Sequence, residues 1–111
     1  MKGIINMLKD TQSKLLHSIL HEVRISIISQ LLLGEKNIAD LVKKVKIERS
    51  KVCYHLSILE NEKILKSRYV ILEEAHSKGR AGKVYSINKD KFRKIKEAIE
   101  DFKKEVYELG S

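Results

Sequence analysis

The chain has 111 residues, a formal net charge of +8 and 42% hydrophobic residues spread along its whole length. That suits one domain with a single core, is too apolar for a disordered tail, and offers no membrane span: the longest uncharged apolar run, Ile25 to Gly34, is too short. A single cysteine, Cys53, excludes an internal disulfide and fits a reducing, cytoplasmic setting. The opening stretch MKGIINMLKD has no long apolar core and no small-residue cleavage site, so it is not expected to be a signal peptide. A small basic domain attracts polyanions, with nucleic acid the first candidate and an anionic membrane surface the second.

In chain order, Asp10 or Thr11 is placed to cap a helix carrying Leu15, Leu16, Ile19 and Leu20 on one side. His21-Glu22 interrupts it, and Val23 to Leu33 forms a second apolar segment closed by Gly34. Asn37 caps a short helix over Ile38 to Val45, with Ile38, Leu41, Val42 and Val45 at helical spacing. Lys46 to Arg49 then lead into a helix over residues 50–61 with the apolar stripe Val52, Leu56 and Leu59. From Ile64 to Glu74 and from Lys83 to Ile87 the period changes to two, around the tip HSKGRAG. A last helix, capped by Asn88 and stopped by Gly110, carries Phe92, Ile95, Ile99, Phe102, Val106 and Leu109 at spacings of 3, 4, 3, 4 and 3. Two short helices joined by a tight turn and followed by a hairpin make the order of a winged helix-turn-helix: mainly α, with a small β-hairpin wing. The expectation is one domain over 1–111, with a core over 11–88 and a C-terminal helix over 89–110 for dimerisation.

The stretch VRISIISQLLLGEKNIADLVKKVKIERSKVCYHLSILENEKILKSR carries a more specific signal. With Arg24, IADL at 38–41, SKVCYHLSILE at 50–60, the step Ile64-Leu65 and GRAGKVYSI at 79–87, the chain resembles the small dimeric winged-helix transcriptional regulators of the ArsR type and their archaeal relatives. The resemblance covers roughly residues 15–90, and its most specific part is Val-x-x-His-Leu-x-x-Leu over 52–59. It implies a homodimer that binds double-stranded DNA, with the 50–61 helix in the major groove and a wing over 75–83 on the flanking backbone or minor groove. Two departures stand out. Lys63 occupies the place where such regulators usually carry a glycine, so a left-handed cap there would be strained. The segment KNIADL has no cysteine and the last helix no histidine, so the metal-sensing ligands of the family are missing. No metal or cofactor is expected.

With Val52 at the centre of the buried face, Leu56 and Leu59 lie within about 40° of it at helical pitch. Ser50, Tyr54, Ser57 and Asn61 fall on the opposite face, with Lys51 at its flank, a set suited to phosphates and base edges. The DNA-binding candidates are therefore Arg49, Ser50, Lys51, Tyr54, His55, Ser57 and Arg68, with Lys78, Arg80 and Lys83 on the wing. Lys43, Lys44 and Lys46 would flank the backbone. His55 lies beside the core stripe, and two readings stay open for it, packing the helix or reaching the DNA backbone. Cys53 reads as a small half-buried packing residue. His17 and His21 stand i, i+4 but lack a third ligand. Phe92, Ile95, Ile99, Phe102, Val106 and Leu109 could pack on their own domain or pair with the seam of a second chain, and the length of the helix makes them the candidate dimer interface.

An enzyme is not expected, because neither a Gly-rich phosphate loop nor paired carboxylates beside a His or Ser can be found in the sequence. The rival function is a winged-helix protein-interaction module of the transcription or replication machinery, in which the cations would be incidental. Nothing in the residues names an effector ligand.

Overall fold

Helices form where the apolar spacing places them. In the computed structural model, which describes residues 9–71 and 81–110, the chain runs α1 (Asp10–Ile19), α2 (Glu22–Leu32), β1 (Lys36–Asn37), α3 (Ile38–Val45), α4 (Arg49–Asn61), β2 (Leu65–Ile71), β3 (Ala81–Ile87) and α5 (Lys89–Gly110). It divides into two compact units, Glu22–Asn88 and a second made of Met1–His21 with Lys89–Ser111.

The unit Glu22–Asn88 is a winged helix-turn-helix. Its core takes Val23, Ile27, Ile28 and Leu31 from α2, Leu41 from α3, Val52, Leu56 and Leu59 from α4, and Ile64, Leu65 and Tyr85 from the wing. Asn37 caps α3 as its position predicts, its Oδ1 accepting the Asp40 amide at 2.8 Å. Strand β1 is a feature that the sequence pattern did not announce. It is only two residues long, and it exists because β3 offers it an edge: Lys36 pairs with Tyr85 and Asn37 with Val84. The sheet order is β1-β3-β2, antiparallel throughout, with Leu65 opposite Ile87 and Ile71 opposite Ala81.

Both helices of the helix-turn-helix end on a lysine in the left-handed region, Lys46 at φ 58° and Lys63 at φ 65°. At the end of α4 the geometry is a complete Schellman motif. The Ile64 amide donates to the Leu59 carbonyl and the Lys63 amide to that of Glu60, both at 3.0 Å, while Leu59 and Ile64 are fully buried. This turn takes up Ile64, so the strand starts one residue later than its β-branched run implies. Asn88 helps to hold the turn: its amide N–H reaches the Ile64 carbonyl at 3.0 Å and its side-chain Nδ2 donates to the Lys63 carbonyl at 2.9 Å.

In the second unit α1 and α5 pack together. Lys9, rather than Asp10 or Thr11, is the N-cap of α1, and its amide donates to the Gln12 side chain at 2.9 Å. Gln12 in turn donates to Asp101 of α5 at 2.8 Å. Leu16 is buried, whereas Leu20 lies past the helix end and is exposed, because the chain turns before the fourth apolar position can join the stripe. The same break moves His21 off α1 and removes the helical i, i+4 relation to His17 that would have set the two imidazoles on one face.

Candidate nucleic-acid interface

Helix α4 separates its faces cleanly. Val52, Leu56 and Leu59 are fully buried, while Arg49, Ser50, Lys51, Tyr54, Ser57 and Asn61 are exposed. Tyr54 keeps 62% of its surface open, unusual for an aromatic on a helix whose other side is core. Glu48 is the N-cap of the helix, and the Ser50 hydroxyl donates to its carboxylate at 3.2 Å, so an acid stands just before Arg49 and Lys51. Lys43, Lys44 and Lys46 are exposed at the end of α3, where cations also complement the helix dipole.

His55 is the one candidate on α4 that leaves this face. It is buried, and its Nδ1 accepts a hydrogen bond from Arg24 Nε of α2 at 3.1 Å. With Nδ1 accepting, the neutral ring carries its proton on Nε2. Of the two readings open for His55, its burial favours packing: one step of about 100° from Tyr54 turns it toward α2 and into the core. It still bears on the outer face, because the Tyr54 ring meets it edge-on with centroids 5.1 Å apart and an interplanar angle of 76°. Arg24, His55 and Tyr54 therefore form a line from the second helix to the exposed surface. Cys53 is half-buried beside them.

The wing strands hold their cations differently from the sequence expectation. Lys83 is directed onto α4, with Nζ 3.4 Å from the Glu60 carboxylate and 5.3 Å from the centre of the Tyr85 ring. Burial opposes its charge, but Tyr85 and Glu60 more than offset this and leave the Lys83 pKa above its ordinary 10.5. Glu60 also accepts the Ser67 hydroxyl. Lys83 is thus a cation already neutralised inside the fold, not a free wing charge. The cause is strand alternation: Lys83 shares its face with the buried Tyr85, the face from which it reaches Glu60 of α4. Arg68 is opposite Val84, on the other face, and its guanidinium pairs with Glu35 at 2.5 Å. It too is engaged, and it stands on the side of the sheet away from Lys83. Lys78 and Arg80 lie outside the described residues.

Two residues that the sequence reading passed over emerge here. Tyr69, opposite Lys83 in the register, is 71% exposed. Glu60, the second, joins α4 to both wing strands through Ser67 and Lys83. The alternation of Ser67, Tyr69 and Ile71 was the available signal for the first, while nothing local marked the second.

The candidate dimer seam on α5 is split. Ile95 is fully buried within the chain and Phe92 half-buried, so Ile95 has no surface left for a second chain. Ile99, Phe102, Val106 and Leu109 remain exposed, by 38%, 48%, 50% and 67%. Among the described residues no group of three or more His, Cys, Asp or Glu is arranged to hold a metal, and no helix is long and apolar enough to cross a membrane.

Comparison with known proteins agrees with this architecture. Residues 21–67 match the family model described as bacterial regulatory protein, arsR family, so the helix-turn-helix with the start of the wing is ArsR-like. No curated protein sequence matches the chain significantly. Among solved structures, the transcriptional repressor BigR from Xylella fastidiosa is similar over 80% of each chain, with 18% identity and a TM-score of 0.63. Diamide-treated YodB from B. subtilis aligns over 86% of this chain and 89% of its own, with 16% identity and a TM-score of 0.68. A transcriptional regulator homologue from Pyrococcus horikoshii OT3 aligns over 91% and 98%, with 18% identity and a TM-score of 0.65. At these identities the likeness is one of fold.

Proposed function

We propose that this ArsR-like winged helix-turn-helix protein, a DNA-binding transcriptional regulator, works as a homodimer that lays α4 in the major groove and occupies a promoter. The observation that carries the reading is the exposed face of α4. Arg49 and Lys51 supply charge for phosphates, Ser50 and Ser57 short hydroxyls, and Tyr54 and Asn61 groups long enough for base edges, all on a helix pinned from behind by fully buried Val52, Leu56 and Leu59. Phosphate contacts fix the register of a protein on the duplex, and base contacts read it. Tyr54 is the residue assigned to reading, since His55 and Arg24 buttress its ring.

The exposed apolar residues Ile99, Phe102, Val106 and Leu109 support pairing of α5 with a second copy. They keep heptad spacing on a helix of 22 residues, about 33 Å long at 1.5 Å per residue. A two-fold dimer would present two α4 helices to successive major grooves about 34 Å apart, so the site should be an imperfect inverted repeat with half-site centres ~10 base pairs apart or a multiple. Lys78 and Arg80, expected from the sequence on the wing, would contact the flanking backbone or minor groove.

The test is a mobility shift and a footprint on the DNA upstream of the protein's own coding region, at 50 and 200 mM salt. With about 6–10 phosphates neutralised per dimer, affinity should fall by roughly 10³–10⁵ between the two salts. Absence of binding to any duplex at 50 mM salt would sink the proposal in favour of a protein-interaction module.

A further inference from the structure

We propose that Glu60 masks the Lys83 charge and so restrains the sequence-independent part of DNA affinity and its salt dependence; this rests on the DNA-binding reading above. Glu60 stands in the last turn of α4, where a carboxylate faces the negative end of the helix dipole. It is therefore not placed there for the sake of the helix. Instead it gathers the wing: the Ser67 hydroxyl of β2 donates to one of its oxygens and the Lys83 ammonium of β3 to the other, at 3.4 Å. Lys83 and Glu60 are each about one-third exposed as side chains, and Lys83 also lies over the Tyr85 ring. The pair is sheltered enough to be screened less than a surface pair, yet close enough to solvent that the lysine, if released, would face outward.

The consequence lies in how charge enters DNA affinity. Each cation that neutralises a phosphate raises affinity for every sequence alike and steepens the salt dependence by about 0.9 in log K against log salt. A cation already paired in the free protein has no such effect. Glu60 thus withholds one phosphate contact per chain from the sequence-independent part of binding, while its bond to Ser67 fixes the wing against the recognition helix. Because that contact would enter the affinity for every sequence equally, its masking keeps the overall hold on DNA lower without altering the ratio of specific to random affinity.

The experiment is fluorescence-anisotropy titration of a random duplex and of the footprinted site over 50–300 mM salt, with wild type, Glu60→Gln, Lys83→Met and the double variant. Glu60→Gln keeps an oxygen for Ser67 and removes only the charge. It should bind both the random duplex and the footprinted site more tightly at low salt, by about the same factor, and steepen the slope by about 0.9 per bound chain. Lys83→Met should leave the wild-type slope unchanged, and the double variant should restore it. A Glu60→Gln protein with unaltered slope and random-DNA affinity would overturn the proposal. So would a Lys83→Met protein whose slope falls by about 0.9 per bound chain, since Lys83 would then already contact phosphate. Should Glu60→Gln fail to fold, as judged by circular dichroism, the Lys83→Met slope decides alone. Wild type that binds no duplex would count against the DNA reading itself, a result distinguishable from either outcome above.

Discussion

Lys63→Gly should make the protein more stable. Lys63 closes α4 at φ 65°, in a Schellman turn whose two hydrogen bonds are both formed at 3.0 Å. A residue with a Cβ in this region costs about 1–2 kcal/mol, because Cβ crowds the following carbonyl. Glycine removes that cost but returns roughly 0.5–1 kcal/mol through the greater freedom of the unfolded chain. The net gain is about 0.5–1 kcal/mol, or several degrees in Tm for a chain of this size. Lys63 is exposed and its side chain makes no ion pair among the described residues, so little is lost with it. Urea unfolding at fixed protein concentration, read at the transition midpoint, measures the effect. Lys63→Ala is the control, since it deletes the side chain and keeps the Cβ. If Lys63→Ala gains as much as Lys63→Gly, or if Lys63→Gly loses stability, the strain argument fails and the lysine side chain accounts for the change. Lys46→Gly, at φ 58° on the end of α3, should show a gain of the same sign.

Gly34 stands at φ 145° with open space around it, so Gly34→Ala should destabilise by about 1 kcal/mol or more through backbone strain alone, visible as a lower urea midpoint. His55→Asn can offer an oxygen near the Nδ1 position to Arg24 and should retain specific binding better than His55→Leu, which removes that acceptor; anisotropy and thermal melts of the two variants make the comparison. Ile99→Glu with Phe102→Glu should convert a dimer to a monomer in sedimentation velocity while the Glu22–Asn88 unit keeps its fold, and a wild type already monomeric at micromolar concentration would remove the ground for it.

How far the sequence could be read follows from which interactions are local. The helices of the recognition unit were legible because their signals lie within a turn or two: Asn37 before α3, the 52–56–59 stripe of α4, Gly34 after α2. The strained end of α4 was legible through the resemblance instead, as a lysine where similar regulators carry a glycine. Strand β1 was not, since two residues have no period and their pairing with Tyr85 and Val84 spans nearly fifty positions. The pairing of the site's charges was hidden for a related cause. Lys83 and Arg68 look free along the chain, and they are held by Glu60 and Glu35, partners that only the register of the hairpin and the β1 edge bring near. A formal charge count therefore overstates the cations available to a polyanion.

The same distinction between local pattern and tertiary pairing decides what Tyr54 should do. Its exposure follows from helical period alone, but its orientation comes from His55, which is fixed in turn by Arg24 thirty-one residues earlier in the chain. A ring held in this way is suited to a base edge, where position matters, and contributes no charge. Tyr54→Ala should then erode the ratio of specific to random affinity by about 1–3 kcal/mol for each base pair it reads, while the slope of log K against log salt stays as in wild type. Arg49→Ala or Lys51→Ala should do the reverse, weakening all sequences nearly equally and lowering the slope by about 0.9 per bound chain. The two patterns come from the same titrations, and a Tyr54→Ala protein that loses all DNA equally would mean that the reading face of α4 lies elsewhere on the helix.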